Sequence, residues 1–480
     1  MRTLDVDVAI LGTGTAGLSA YRAAVAQGKR ALLIERGHYG TTCARVGCMP
    51  SKLLIAAAEA AHMLERAAAF GVHAGDKRID GKAVMARVQA ERDRFVGFVI
   101  DSVDAIADSD KLQGHARFTG PRTLQVDDHT LVNASRFVIA TGSTPTRLPV
   151  LEAGGGAIIS SDDIFELPDL PASMAVIGTG VIGLELGQAM ARLGVRVSFF
   201  ARGGSIAQIS DPQVLHNATR VFGAQLDIRF QQRIVKVEPA AGGGVVLHTE
   251  DASGAAHADQ FEIVLAAAGR TPNVGDIGIE HTGLDLDRNG IPLFDRCTMQ
   301  CGGSHIFIAG DADDERPLLA EAADQGRIAG DNAGRFPDVR PGLRRTALAV
   351  AFTEPQIATV GESYRALCAA GKPKFALGMV SFENQGRSRV MLQNHGLLRV
   401  YGEYGTGRFL GAEMVGPRAE HIGHLLAWAC QARMTVEQML EMPFYHPVVE
   451  EGLRTALRHL HEELVRDASD IAVAGDAPGV

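Results

Sequence analysis

Two cysteines, Cys43 and Cys48, stand where the chain can do chemistry, in the stretch Gly40-Thr41-Thr42-Cys43-Ala44-Arg45-Val46-Gly47-Cys48-Met49-Pro50-Ser51-Lys52. A CxxxxC spacing brings two sulfurs into bonding reach only if the intervening turn holds the Cα atoms about 4.4–6.8 Å apart, and Gly47 loosens the backbone for such a turn. From Met49 the sequence is rich in Ala and Leu, with Pro50 and Ser51 at its start, which predicts a long helix beginning beside Cys48. A thiol at a helix N-terminus meets the positive end of the dipole and is more acidic than a free one. Cys48 is therefore expected as the stable thiolate and Cys43 as the sulfur that meets substrate. The competing readings are a structural disulfide, two unrelated core cysteines and half of a zinc site. The start MRTLDVDVAILG lacks the regions of a signal peptide, which points to a reducing, cytoplasmic setting where structural bridges are rare. A zinc site would want two more close ligands and has only His38 and His62 near, so no metal is expected.

These residues need a large scaffold. At 480 residues the chain is long enough for about three domains, and 46% hydrophobic with 21% charged residues is the composition of an ordinary globular protein. A net charge of −9 without a Lys/Arg run argues against a nucleic-acid partner. No apolar run approaches the ~20 residues of a membrane span. The remaining cysteines, Cys297, Cys301, Cys368 and Cys430, do not make a disulfide framework; the CxxxC of Cys297 and Cys301 lies in a turn-rich segment and reads as incidental.

Residues 5–36 give an apolar strand, Gly12-x-Gly14-x-x-Gly17, a helix, a second strand, and Glu35 at its end. That is a complete dinucleotide fingerprint: glycines for the tight turn, the close approach of the pyrophosphate and the helix packing, and an acid for a ribose hydroxyl. Residues 174–202 repeat it with Gly178, Gly180 and Gly183, so the chain binds two dinucleotides. Superposing Gly12 on Gly178 sets Glu35 on Ala201 and Arg36 on Arg202. Without the acid nothing repels a 2′-phosphate and Arg202 can pair with one, which favours NADP; Gly183, the third glycine usual in NAD sites, favours NAD. Glu185 is an acid in an apolar helix and needs a partner if buried; Lys52 is the expected one. A Pro/Gly-rich stretch over 144–171 reads as a linker, with a new domain near Ser173. Ile306–Ala309 followed by Gly310-Asp311 reads as a strand ending in an acid suited to a cofactor's sugar or ribityl chain. From Thr346 the pattern turns to strands and then helices without a nucleotide loop. It closes on His446, with Glu451 placed to orient its ring, and on an Ala/Gly/Asp-rich tail.

With both fingerprints, CxxxxC-x-P-S-K, the ATGS strand end, Gly-Asp and the terminal His-Pro-x-x-x-Glu in this order, the chain to about residue 465 resembles the class I flavin-dependent pyridine nucleotide-disulfide oxidoreductases, and most of all the dihydrolipoamide dehydrogenases. The resemblance implies an α/β fold of two Rossmann-like domains and a C-terminal α+β dimerisation domain. FAD binding is expected over 1–150 and 271–345, NAD(P) binding over 151–270, the interface over 346–465 and a flexible tail over 466–480. It sets FAD against Gly12, Gly14, Gly17, Glu35, Arg36, Thr42, Lys52, Thr141, Gly142, Gly310 and Asp311, and NAD(P) along Gly178, Gly180, Gly183, Arg202 and Gly269. It makes Cys43–Cys48 a redox-active disulfide with Cys48 against the flavin, Lys52–Glu185 the pair near the flavin, and His446–Glu451 an acid–base pair reaching into the other subunit of an obligate homodimer.

The activity so implied is oxidation of dihydrolipoamide, or of a small-molecule dithiol, by NAD(P), with docking on a 2-oxo acid dehydrogenase complex left open. The alternatives are an NADPH-dependent reductase of another low-molecular-weight disulfide, like glutathione reductase, and a flavoprotein redox sensor of low turnover. Departures from the family pattern bear on the choice. Thr41 replaces a glycine of the usual Gly-Gly-Thr-Cys, and Arg45 replaces the usual Asn. Mercuric reductases and large thioredoxin reductases add a C-terminal cysteine or selenocysteine pair, which the ending GDAPGV does not carry, an expectation against both.

Overall fold

The protein is described by a computed structural model covering residues 1–73, 75–369 and 374–475, with side chains through residue 466. Its first sheet holds the strands Lys111–Gln113, Ala31–Glu35, Arg2–Leu11, Thr130–Ile139, Thr123–Val126 and Ala116–Gly120 in that spatial order, with Ile306–Ile308 added parallel to Thr130–Ile139. Arg2–Leu11 is central and its last four residues are fully buried, because a strand covered on both faces must be apolar throughout. Helix α1 (Thr15–Ala26) leaves its C-terminal end. The chain then forms α2 (Thr42–Val46), α3 (Cys48–Ala67) and α4 (Gly81–Asp104) before returning to the sheet edge.

The second sheet is wholly parallel, in the order Asp227–Arg229, Arg196–Phe200, Ser173–Ile177, Ile263–Ala266, Ile158–Ser160. Helices α5 (Val181–Arg192) and α6 (Pro212–Gly223) belong to it, as does an antiparallel meander of Arg233–Pro239, Val245–Glu250 and Ala256–Phe261. The segment 144–171 is more than the expected linker, since Ile158–Ser160 is an edge strand of this sheet. The chain enters and leaves the unit side by side, where Ser143–Pro145 pairs antiparallel with Arg270–Pro272. It then supplies Ile306–Ile308 and α7 (Leu319–Arg335) to the first unit. Two doubly wound units thus sit in one chain, the second inserted in the first.

The third unit is an antiparallel sheet ordered Leu348–Ala351, Gln356–Gly361, Phe409–Gly416, Leu397–Glu403, Phe375–Ser381. It carries the short helices α8 (Tyr364–Cys368) and α9 (Gly386–Val390), then α10 (Ala419–Gln431), α11 (Val436–Leu440) and α12 (Glu451–Gly475). Helix α12 runs across most of the stretch read as a tail; residues 476–480 lie outside the described ones. Among the described residues no helix is long and apolar enough to cross a membrane.

One crossing holds the first nucleotide loop in place. Helix α7 lies on α1 so closely that a Cβ on Gly326 would sit 2.2 Å from the carbonyl oxygen of Ala16, and one on Gly330 2.1 Å from that of Ala20. Backbone cannot yield at such distances as a flexible side chain would. Gly326→Ala is expected to destabilise the fold by about 2–3 kcal/mol, read as a lowered thermal midpoint; an unchanged midpoint would show that the helices part without cost.

Candidate functional site

Cys43 lies on α2 and Cys48 is the first residue of α3. The segment between them is not the simple turn expected, and the long helix starts one residue before Met49. Residues 42–46 close a helix of their own because the Thr41 side-chain oxygen accepts the Ala44 N–H at 3.3 Å. Thr41 does so at φ +48°, a conformation that side chains other than glycine rarely adopt. Gly47 separates the helices at φ −125°, ψ −116°, so a positive φ is not what requires glycine there. Closeness does: a Cβ would meet Cys43 Cα and the Thr42 carbonyl oxygen, both at 3.1 Å.

This packing brings the two sulfurs together as free thiols, Cys43 half-buried and Cys48 exposed. The Cys43 thiol donates a hydrogen bond to Cys48, which raises the Cys43 pKa and lowers that of Cys48 to about 7. Partial desolvation opposes the second shift, and the positive charge of Lys52 adds to it. Lys52 reaches Cys48 because four residues along a helix return to the same face. The acid expected to meet Lys52 does so: Nζ lies 2.7 Å from Glu185 Oε2, with the Glu185 side chain 5% exposed. The other carboxylate oxygen accepts the Phe352 N–H at 2.8 Å.

The first fingerprint folds as its glycines require. A Cβ on Gly12 would sit 2.3 Å from the Ala140 carbonyl oxygen, and one on Gly17 2.0 Å from that of Gly12, whereas Gly14 faces open space. Helix α1 starts at Gly14 with no side-chain cap and no acid in its first turn, which leaves N–H groups and a positive dipole end for a pyrophosphate. Glu35, at the end of the second strand, accepts the Thr13 N–H and hydroxyl at 2.9 and 2.7 Å and the Gly37 N–H at 2.8 Å. The buried Thr141 Oγ1 has no hydrogen-bond partner within the chain, and Gly142 beside it has φ +67°. An uncapped helix start with open space over Gly14, a carboxylate 23 residues beyond Gly12 and an orphaned hydroxyl form a donor set that fits FAD. Arg36, expected on the cofactor, pairs with Asp276 at 2.6 Å, and Thr42, also expected there, is the first residue of α2.

Asp311 accepts the Ser143 hydroxyl at 2.8 Å, and the same hydroxyl accepts Arg270 Nε–H at 2.9 Å. Arg270 is anchored in turn on Asp162 at 3.1 Å. The serine of ATGS is the only sequence signal in this cluster; strand pairing brings Ser143 and Arg270 together, and the Arg270 guanidinium then recruits Asp162. Gly310, also expected at the cofactor, gives its N–H to Gln325 Oε1 at 2.7 Å.

The second fingerprint repeats the geometry. A Cβ on Gly178 would meet the Ala267 carbonyl oxygen at 2.6 Å and one on Gly183 that of Gly178 at 2.5 Å, while Gly180 is open and α5 begins there uncapped. Gly269, the other residue expected on this nucleotide, has φ +117° and accepts the Thr146 N–H on its carbonyl. Beyond the paired strand Arg196–Phe200, Ala201 is buried. Arg202 is exposed and is without a side-chain partner among the described residues.

His446 Nδ1 lies 3.0 and 3.1 Å from the two oxygens of Glu451, and one of these also accepts the Val448 N–H at 3.2 Å. The imidazole bond, first, and this N–H hold the Glu451 carboxyl below its ordinary range. The His446 side chain is 80% exposed; among the described residues it makes no hydrogen bond or ion pair with Cys43, Cys48 or Lys52. Cys301 is buried and Cys297 exposed, both free, in keeping with an incidental CxxxC.

The arrangement suits thiol–disulfide exchange in which Cys48 leaves as a thiolate. In the reduced protein the thiolate absorbance should appear as pH rises through about 7 and disappear below it. It should survive Cys43→Ser and vanish in Cys48→Ser; the reverse pattern would exchange the two roles.

Residues 6–326 match the family described as pyridine nucleotide-disulphide oxidoreductase, and residues 348–457 match its dimerisation domain. The chain is 33% identical over 473 residues to the mercuric reductase of Shigella flexneri, covering 95% of this chain and 81% of that protein. It is 28% identical over 465 residues to the dihydrolipoyl dehydrogenase of Bacillus subtilis, covering 94% and 97%. It superposes on the crystal structure of LpdA from Mycobacterium tuberculosis with a TM-score of 0.80 at 25% identity, covering 96% and 100% of the two chains. Two doubly wound units, one inserted in the other, a cysteine pair at the start of a long helix and an antiparallel C-terminal sheet agree with these matches: the chain belongs to the pyridine nucleotide-disulphide oxidoreductases.

Proposed function

We propose that the protein is an FAD-dependent dithiol–disulfide oxidoreductase of the dihydrolipoamide dehydrogenase type, working through Cys43 and Cys48 as an obligate homodimer in a reducing compartment. Members of this family use FAD and a pyridine nucleotide. The observation that carries the reading is the placement of the two free thiols, Cys43 on α2 and Cys48 at the first position of α3, one turn before a Lys52 paired with the buried Glu185. We assign FAD to residues 1–150 and 271–345, the pyridine nucleotide to 151–270, and the subunit interface to 346–465.

The chain's own residues account for the thiol chemistry. A substrate thiolate attacks the Cys43 sulfur of a Cys43–Cys48 disulfide, the S–S bond breaks, and Cys48 departs as a thiolate stabilised by Lys52. His446 of the partner subunit, oriented by Glu451, takes the proton of the second substrate thiol, which attacks the mixed disulfide and releases Cys43. The substrate leaves as a disulfide and the electron pair rests with the two cysteines. FAD, when bound along Gly12, Gly14, Gly17, Glu35, Thr141 and Asp311, supplies the relay of that pair to the pyridine nucleotide. A general base is what a protonated thiol requires and a metal cation does not, so the His446–Glu451 pair favours a dithiol over a mercuric substrate.

A second reading, an NADPH-driven reductase of another small disulfide, is favoured by Arg202 behind Ala201, exposed and without a side-chain partner among the described residues. Turnover of dihydrolipoamide with NAD, and of small disulfides and mercuric ion with NADPH, separates the possibilities. Brisk dihydrolipoamide oxidation is expected, and its absence beside NADPH-driven reduction would reject the lead reading. Cys43→Ser should keep the flavin and lose turnover. His446→Ala should slow dithiol exchange by about 10²–10⁴-fold; unimpaired exchange would remove it from the mechanism. Arg202→Ala should raise KM for NADPH about tenfold and spare NADH if the arginine reads the 2′-phosphate.

A further inference from the structure

Phe352 lies between the strands Leu348–Ala351 and Gln356–Gly361, has no part in the exchange steps, and yet touches both members of the Lys52–Glu185 pair. Its N–H donates to Glu185 Oε1 at 2.8 Å, while Lys52 Nζ sits 2.7 Å from Oε2. The same ammonium lies 4.7 Å from the centroid of the Phe352 ring, inside the reach of a cation–π interaction. One residue of the third unit therefore fixes the carboxylate with its backbone and the ammonium with its ring.

The loop that presents Phe352 is fastened independently of this pair. Gln188 of α5 accepts the Glu354 N–H at 2.8 Å and donates to the Glu354 carbonyl at 2.9 Å. The Glu354 carboxylate bonds Arg66 of α3 at 2.9 Å and Arg192 of α5 at 3.1 Å. Thr353 closes the loop on the Pro355 carbonyl at 2.8 Å. The loop is thus tied to the cysteine helix and to the second nucleotide helix together, so the ring is held where it is rather than resting on Lys52 by chance.

We propose that Phe352 is a positioning residue for the Cys48 thiolate, holding Lys52 and Glu185 so that the ammonium and not the carboxylate dominates the field at the sulfur. The two charges act on Cys48 in opposite senses, Lys52 favouring the thiolate and Glu185 opposing it. A small change in how the pair is held therefore changes the balance. An aliphatic side chain of similar bulk would fill the space but offer no negative π-face to the ammonium. The proposal rests on the reading of Cys48 as the thiolate and of Lys52 as its counter-charge.

The test is the pH profile of the Cys48 thiolate absorbance in the full-length Cys43→Ser protein, corrected by the Cys43→Ser/Cys48→Ser protein. Phe352→Leu and Phe352→Met should each shift the profile to higher pH, cutting the thiolate fraction on its acid side about two- to fivefold, and Phe352→Tyr should restore it. Lys52→Met should shift the profile the same way, and adding Phe352→Leu to Lys52→Met should do nothing more. If Phe352→Leu only lowers the thermal midpoint while Lys52→Met moves the profile, the positioning role is overturned and the reading of Lys52 stands. If Lys52→Met also leaves the profile in place, both fall.

Discussion

The structure depends on one buried carboxylate. Glu185 satisfies its two oxygens with Lys52, 133 residues earlier in the chain, and with the Phe352 N–H, 167 residues later. A charge buried in an apolar helix is costly unless it is paired and hydrogen-bonded, so α3, α5 and the first strand of the third unit must meet at this point. Lys52 is carried there by the same helix that begins at Cys48. The requirement to neutralise Glu185 thereby fixes where the acidic thiol stands relative to both doubly wound units.

A second buried cluster ties the units on the far side of α6. Asp211, fully buried, caps that helix through the Gln213 and Val214 N–H groups and accepts Arg399 and Tyr401 at 3.1 Å each. Glu413, also fully buried, accepts the N–H groups of Ser210, Asp211 and Tyr364 and the Ser210 hydroxyl. Such networks add rigidity only when nearly every member is satisfied. With Glu185 they hold the second doubly wound unit against the antiparallel sheet at two separate places. The antiparallel sheet thus joins the crossing strands Ser143–Pro145 and Arg270–Pro272 in fixing the second doubly wound unit.

The three units divide the chemistry. The first offers an uncapped helix start and an acid to an anionic dinucleotide, and the second repeats the helix start but exchanges the acid for Ala201 and Arg202. The third contributes no nucleotide loop; it offers Phe352 inward and the exposed His446–Glu451 pair outward. Among the described residues His446 bonds only to Glu451 and stands exposed, on the unit that matches the dimerisation domain.

The sequence by itself determined the local pieces whose physics is short-range. Gly17 is dictated by the carbonyl of Gly12 five residues before it, the cysteine spacing by the reach of one helix start, and His446 with Glu451 by five residues of chain. Even there it missed the separate helix at 42–46, because Thr41 caps it from a left-handed conformation that no propensity signals. Tertiary structure alone decided the rest. Arg36 pairs with Asp276, the supposed linker contributes an edge strand at Ile158–Ser160, and Ser143, Arg270 and Asp162 gather behind Asp311. Their partners lie more than a hundred residues away, and a contact of that range is set by how whole elements bury their faces, which no local pattern encodes.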